Sequence, residues 1–215
     1  MNRPARLVPA ALVTTAALLL TACGSGEDDG SSSDKIKGAG REGSASASAS
    51  ASASAATDGR PEITLPKTFQ ANFESWTNSD PKLQAIINDG REELRSKYAA
   101  ITESAPDSEA VAFYNSGNSL ATARTWIKSF VDTDDSLIGE VRVYNPQVHI
   151  NNTGSGVLFY CVDERKASTK NRKTGKVTAT PDKPESVLQY RARLDKTAQG
   201  VWKTVSLETV AGGCG

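Results

Sequence analysis

The chain has one histidine, His149, among 215 residues. Any Ser-His-Asp triad would have to run through it, and no Gly-x-Ser-x-Gly elbow accompanies it. His149 lies in Val148-His149-Ile150, alternating away from its apolar neighbours, so it is expected to face solvent or a polar edge. No Cys-x-x-Cys spacing marks a redox dithiol, and no glycine-rich loop is present to cradle a phosphate. Asp132, Asp134 and Asp135 gather charge but lack the glycine and downstream glutamate of a calcium loop, and read as a solvated helix end. No metal or cofactor is expected. Excess charge is absent too: Lys plus Arg and Asp plus Glu number 25 each over the chain, and 19 each from Pro61 onward. A general nucleic-acid binder needs clustered positive charge, so nucleic acid is excluded as an expected partner. A membrane-spanning helix needs about 20 mainly apolar residues, and the longest apolar stretch, residues 7–20, is too short.

That stretch has another use. Arg3 and Arg6 precede it, Thr21 and Ala22 follow it, and together they make the three parts of an export signal. The two arginines are not adjacent, which leaves a twin-arginine route unsupported. The run Leu20-Thr21-Ala22-Cys23 resembles the lipobox of bacterial lipoproteins. The resemblance implies that the Cys23 thiol receives a diacylglyceryl group and becomes the first residue of the mature chain. Two acyl chains matter because one gives only marginal membrane binding. The expected location is the extracytoplasmic face of the bacterial cell membrane. Residues 1–22 are read as signal peptide, 23–60 as lipidated cysteine and linker, and 61–215 as a single domain.

The linker holds almost no large apolar residue except Ile36. It opens on Glu27, Asp28 and Asp29 and continues into a Ser-Ala repeat over residues 44–55. Such a chain cannot bury enough apolar area to offset its conformational entropy, and its composition predicts disorder. As a flexible coil of about 37 residues it would span about 30–37 Å. It is read as a spacer, with a glycosylated stalk as the alternative.

The remaining length suffices for one core. Asp80-Pro81 predicts a helix start, with Asp as the cap and Pro in the first turn. Leu83, Ile86, Ile87, Leu94, Tyr98 and Ile101 then fall on one face, ending near Pro106. A short helix is expected over 108–113 and a third over 119–131, with Ala123, Trp126, Ile127, Phe130 and Val131 on one side. Strands are expected over 139–144 and 147–150, broken by a bulge or edge at Asn145-Pro146. Residues 157–162, a continuous apolar run, predict a strand buried on both faces. Alternation at Leu188, Tyr190, Ala192 and Leu194 predicts a half-buried strand, and Gln199-Gly200 turns it into a hairpin with 201–207. The expected fold class is α+β: N-terminal helices followed by a meander of about four antiparallel strands.

With Cys23 lipidated, Cys161 and Cys214 remain in an oxidising compartment and are expected to pair. Cys161-Val162-Asp163-Glu164, Thr174-Gly175, Tyr190-Arg191-Ala192-Arg193, Gly200-Val201-Trp202-Lys203 and terminal Cys214 together resemble a group of small secreted or lipidated actinobacterial proteins. Those are similar to the nuclear transport factor 2-like fold. The resemblance implies helices on a curved sheet that encloses a cavity, and a disulfide. It implies little about activity, since this superfold hosts isomerases, dehydratases, secretion subunits and binding modules.

Two features bear on function. Tyr98, Phe113, Trp126 and Phe130 are candidates to line a cone mouth around a small apolar ligand, although aromatics at helical spacing are more often core. Arg165, Lys166, Lys170, Arg172, Lys173 and Lys176 crowd one stretch, either as a solvated hairpin loop or as a contact for anionic headgroups or wall polymers. The expectation is a lipid-anchored, non-enzymatic binding or interaction module of the cell envelope. The alternatives are an isomerase- or dehydratase-like enzyme on a small apolar substrate, or a subunit of a secretion or wall-assembly complex with an envelope protein as partner.

Overall fold

In the computed structural model, residues 59–214 are described. The signal segment, Cys23 and all but the last two linker residues lie outside them.

Helix α1 (Pro81–Glu103) begins where the sequence places it. The Asp80 carboxylate accepts from the backbone N–H groups of Lys82 (2.7 Å) and Leu83 (3.3 Å), satisfying two donors that the first turn leaves free. Ile86, Ile87, Leu94, Tyr98 and Ile101 on its inner face are at most 1% exposed. Gly90 lets this helix sit close to the sheet: a Cβ there would lie 2.4 Å from Leu158 Cδ2. Helices α2 (Glu109–Tyr114) and α3 (Gly117–Asp132) follow. Their buried Val111, Ala123 and Ile127 join the same core.

The sheet has seven strands rather than about four. They are β1 (Phe69–Phe73), β2 (Asp135–Ile150), β3 (Gly156–Asp163), β4 (Ala167–Asn171), β5 (Val177–Ala179), β6 (Val187–Lys196) and β7 (Trp202–Ala211). All pairings are antiparallel except β1 against β2, which is parallel with Phe69 opposite Gly139. The three unexpected strands are five residues or fewer and mixed or polar. They carry too little alternation to announce themselves and become strands by pairing with longer neighbours. The anticipated bulge is present: Tyr144 faces Cys161 while Gln147 faces Phe159, so two residues oppose one across Asn145-Pro146. Residues 157–162 are only partly buried on the outer face, where Val157 and Phe159 remain half-exposed. Cys161 is covered there by the C-terminal tail, which its disulfide to Cys214 pins down across 53 residues of sequence. In the chain-entropy picture a loop of that length contributes about 4 kcal/mol.

A second bulge shapes the molecule more. Strands β3 and β4 run end to end along one flank of β2: Arg142 faces Asp163 and Gly139 faces Ala167. Residues 164–166 therefore put three residues against two. Leu158, Tyr160, Val162 and Glu164 share the inner parity of β3. The extra residue resets the alternation, so Ala167 turns inward and Lys166 outward. Gly139 makes room for this bulge. Its φ is +88°, and a Cβ there would lie 2.4 Å from the Lys166 carbonyl oxygen.

Below the main core, Ile63, Ala99, Tyr114 and Val201 form a smaller cluster. Beside it the buried Asp89 carboxylate takes an ion pair from Arg60 and a backbone hydrogen bond from Trp202 N–H at 2.8 Å. The chain's entry into the domain is thereby fastened to α1 and β7.

Candidate functional site

Helices α1 and α3 do not close completely on the sheet. Between them lies a cavity of about 390 Å³, in the range of small-molecule sites. Its wall is mainly apolar: Phe69 from β1, Tyr98 from α1, Trp126 and Phe130 from α3, Val141 from β2, and Leu207 from β7. Tyr98, Trp126 and Phe130 form a chain of edge-to-face rings, with centroids 6.2 and 5.6 Å apart. Trp126 and Phe130 are one helical turn apart on α3 and only half-buried, which puts them at an opening rather than in the packed core.

Of the four aromatic candidates, Phe113 is not among the lining residues. Its ring packs edge-on against Tyr114 at 4.9 Å and lies 5.9 Å from the Lys203 ammonium. Helix α2 turns that face toward the smaller cluster. Periodicity shows that a helix has an apolar face, but not which of two clusters receives it.

The basic stretch is not one loop. Lys170 lies in β4, and Arg172, Lys173 and Lys176 surround the tight β4–β5 turn. Three of its six cations are already matched by carboxylates. Arg165 pairs with Asp163 (2.6 Å) and Asp182 (3.4 Å), Lys166 with Glu140 (3.0 Å), and Lys173 with Asp134 (2.7 Å). Lys166 beside Glu140 lowers that carboxyl's pKa. The Arg172 guanidinium donates to the carbonyls of Asp135 and Ile101, tying the turn to the end of α1. An anionic surface would have to compete with these partners. Asp132 pairs with Lys128, and Asp135 accepts from Thr133 and Asn171. Among the described residues no group of acidic, histidine or cysteine side chains is arranged to hold a metal. His149 is exposed, its ring stacked 6.5 Å from Phe159.

No protein-family model matches the chain, and no curated protein matches it. Solved structures do. The intermembrane space region of the chloroplast protein ARC6 matches with a TM-score of 0.45 at 10% identity, over 63% of this chain and 99% of that one. A ketosteroid isomerase-like protein from Erwinia carotovora atroseptica matches at 0.42 and 16% identity, over 60% and 95%. A protein from Catenulispora acidiphila matches at 0.42 and 10% identity, over 59% and 91%. Likeness at this level says nothing about ligand or reaction.

The cavity also has polar groups that the sequence pattern did not single out. Lys97 lines the cavity although it is 3% exposed, and its partner Glu93 is 2% exposed. The Lys97 ammonium lies 2.9 Å from Glu93 Oε1 without hydrogen-bond geometry, so among the described residues Oε1 has no aligned donor. The Trp126 and Tyr190 rings flank the ammonium at 6.0 and 5.7 Å. Glu164, the residue after β3, also lines the cavity. Burial raises its pKa to about 7, with the charge of Asp163 adding to the shift. Its carboxylate forms no ion pair among the described residues. Burial also raises the Tyr98 and Tyr190 phenols, helped by the nearby Glu164 and Glu93 carboxylates, and the Tyr98 hydroxyl has no partner.

A signal for these groups does exist in the sequence. Glu93 and Lys97 interrupt the buried stripe of α1 four residues apart, and Glu164 continues the inward parity of Leu158, Tyr160 and Val162.

Proposed function

We propose that the protein is a lipid-anchored binding module on the extracytoplasmic face of the cell membrane, holding a small, mainly apolar molecule in the cavity between α1, α3 and the sheet. The cavity carries this reading: an aromatic and aliphatic wall with a few polar groups is the usual form of a small-molecule site. Helices over a curved antiparallel sheet with an enclosed space support a nuclear transport factor 2-like domain of the lipidated actinobacterial kind. The lipobox supports the anchor.

A full chain carrying Cys23→Ala tests both halves. It should leave the membrane fraction, and a mutant that stays bound would overturn the anchor. With the chain in solution, 1-octanol should raise the melting temperature by several degrees, as a ligand that binds only the folded state must. Ala123→Leu, which pushes a larger side chain into the cavity wall, should abolish that rise while keeping a cooperative melt. An unchanged melting temperature with octanol would count against the cavity as a site.

One observation favours a second reading, an isomerase- or dehydratase-like enzyme. A carboxyl that titrates near neutrality in an apolar cavity is suited to moving a proton. Glu164→Gln would then abolish turnover of an apolar substrate without releasing it.

A further inference from the structure

The cavity wall carries one unmatched charge. Lys97 and Glu93 offset each other across 2.9 Å. Among the described residues Glu164 has no such partner, so with its carboxyl ionised the lining, taken together with the buried Glu93 that offsets Lys97, is net negative. The groups that face it do not correct this. Helix α1 presents Tyr98 and Lys97, the latter offset by the buried Glu93, and β6 presents Tyr190. Asp163 beside it is itself acidic, and the neighbouring cations Arg165 and Lys166 are engaged by Asp163, Asp182 and Glu140 on the outside. The same cavity is walled by aromatic rings, whose faces attract cations.

We propose, on the reading that this cavity binds a ligand, that its occupant is an amphiphilic amine: an apolar body against Trp126, Phe130 and Leu207, and a protonated amino group that pairs with Glu164. An uncharged ligand leaves the half-buried carboxylate without a partner, and an acid sets a second negative charge beside it. An ammonium group supplies the missing partner and favours the ionised carboxyl.

The test compares three probes of one chain length, octylamine, 1-octanol and octanoate, by titration calorimetry on the full chain carrying Cys23→Ala. At pH about 8, octylamine is protonated and Glu164 is ionised. Octylamine should then bind about tenfold tighter than octanol, and octanoate weaker than either. At pH about 5.5, where Glu164 holds its proton, the advantage over octanol should shrink to within about twofold. Glu164→Gln should remove the advantage at the higher pH while octanol still binds, at least as tightly as to the parent. Tightest binding by octanoate would overturn the proposal and make Lys97 the head-group partner. Equal binding of all three would overturn it and leave the cavity as a general apolar site. Binding of none would overturn the cavity reading itself.

Discussion

Glu164 shows how far one side chain can depart from its free chemistry. Its carboxyl titrates near 4.5 in an ordinary setting and about 7 in the folded protein. Between those values the folded state holds a proton that the unfolded state has released. Its contribution is therefore complete below pH about 4.5, falls as pH rises through the window, and is lost above about 7. Glu164→Gln has nothing to ionise and removes this slope. Urea denaturation at both ends of the window should show the variant losing less stability toward alkaline pH than the parent, by about 1–3 kcal/mol after allowance for solvent at the half-buried group. Equal slopes in the two proteins would show that Glu164 is solvated. The Lys97–Glu93 pair is a different case. Nearly buried ion pairs rarely stabilise a fold more than apolar residues of the same volume would. Its lysine lines the cavity with Glu93 buried beside it, which sets the pair next to whatever the cavity holds.

At the scale of elements, the helices were legible because their signals are local: a cap, a proline in the first turn and a stripe at three- and four-residue steps. The long strands were legible from extended or continuous apolar runs over 139–150 and 157–162 and from alternation over 188–194, and Asn145-Pro146 announced its own bulge. Strands β4 and β5 were not, since Ala167–Asn171 and Val177–Ala179 owe their extended form to hydrogen bonds with β2 and with each other. The bulge over residues 164–166 was equally hidden, because the parity change it imposes exists only relative to β2. Yet this bulge turns Ala167 and Thr169 toward the cavity. Gly139→Ala tests its dependence on a bare backbone. A methyl group there meets the Lys166 carbonyl, and the positive φ adds strain of its own. The variant should lose about 2–4 kcal/mol in chemical denaturation. A loss below about 0.5 kcal/mol, within the range of an ordinary surface change, would mean that the bulge is not fixed as described.

For the whole molecule, the α+β class and the cysteine pair could be anticipated, but the number of strands and the cavity's polar groups could not. Three of the four aromatic candidates line it, and the fourth, Phe113, belongs to the cluster at Tyr114 and Val201. An aromatic stripe on a helix is the same in sequence whether it faces a filled core or an empty one, so only the packing of α1 and α3 on the sheet distinguishes them. No helix among the described residues is long and apolar enough to cross a membrane. Attachment, as proposed, falls to Cys23. The central claim is that the space between α1, α3 and the sheet is kept for a ligand. Native mass spectrometry of the protein taken gently from its own envelope tests this most directly, with a denatured spectrum to subtract covalent additions such as lipid or sugar. The account predicts a reproducible non-covalent adduct of one small molecule per chain, lost when Ala123→Leu reduces the cavity. A bare folded chain, or an adduct that survives Ala123→Leu unchanged, would contradict it.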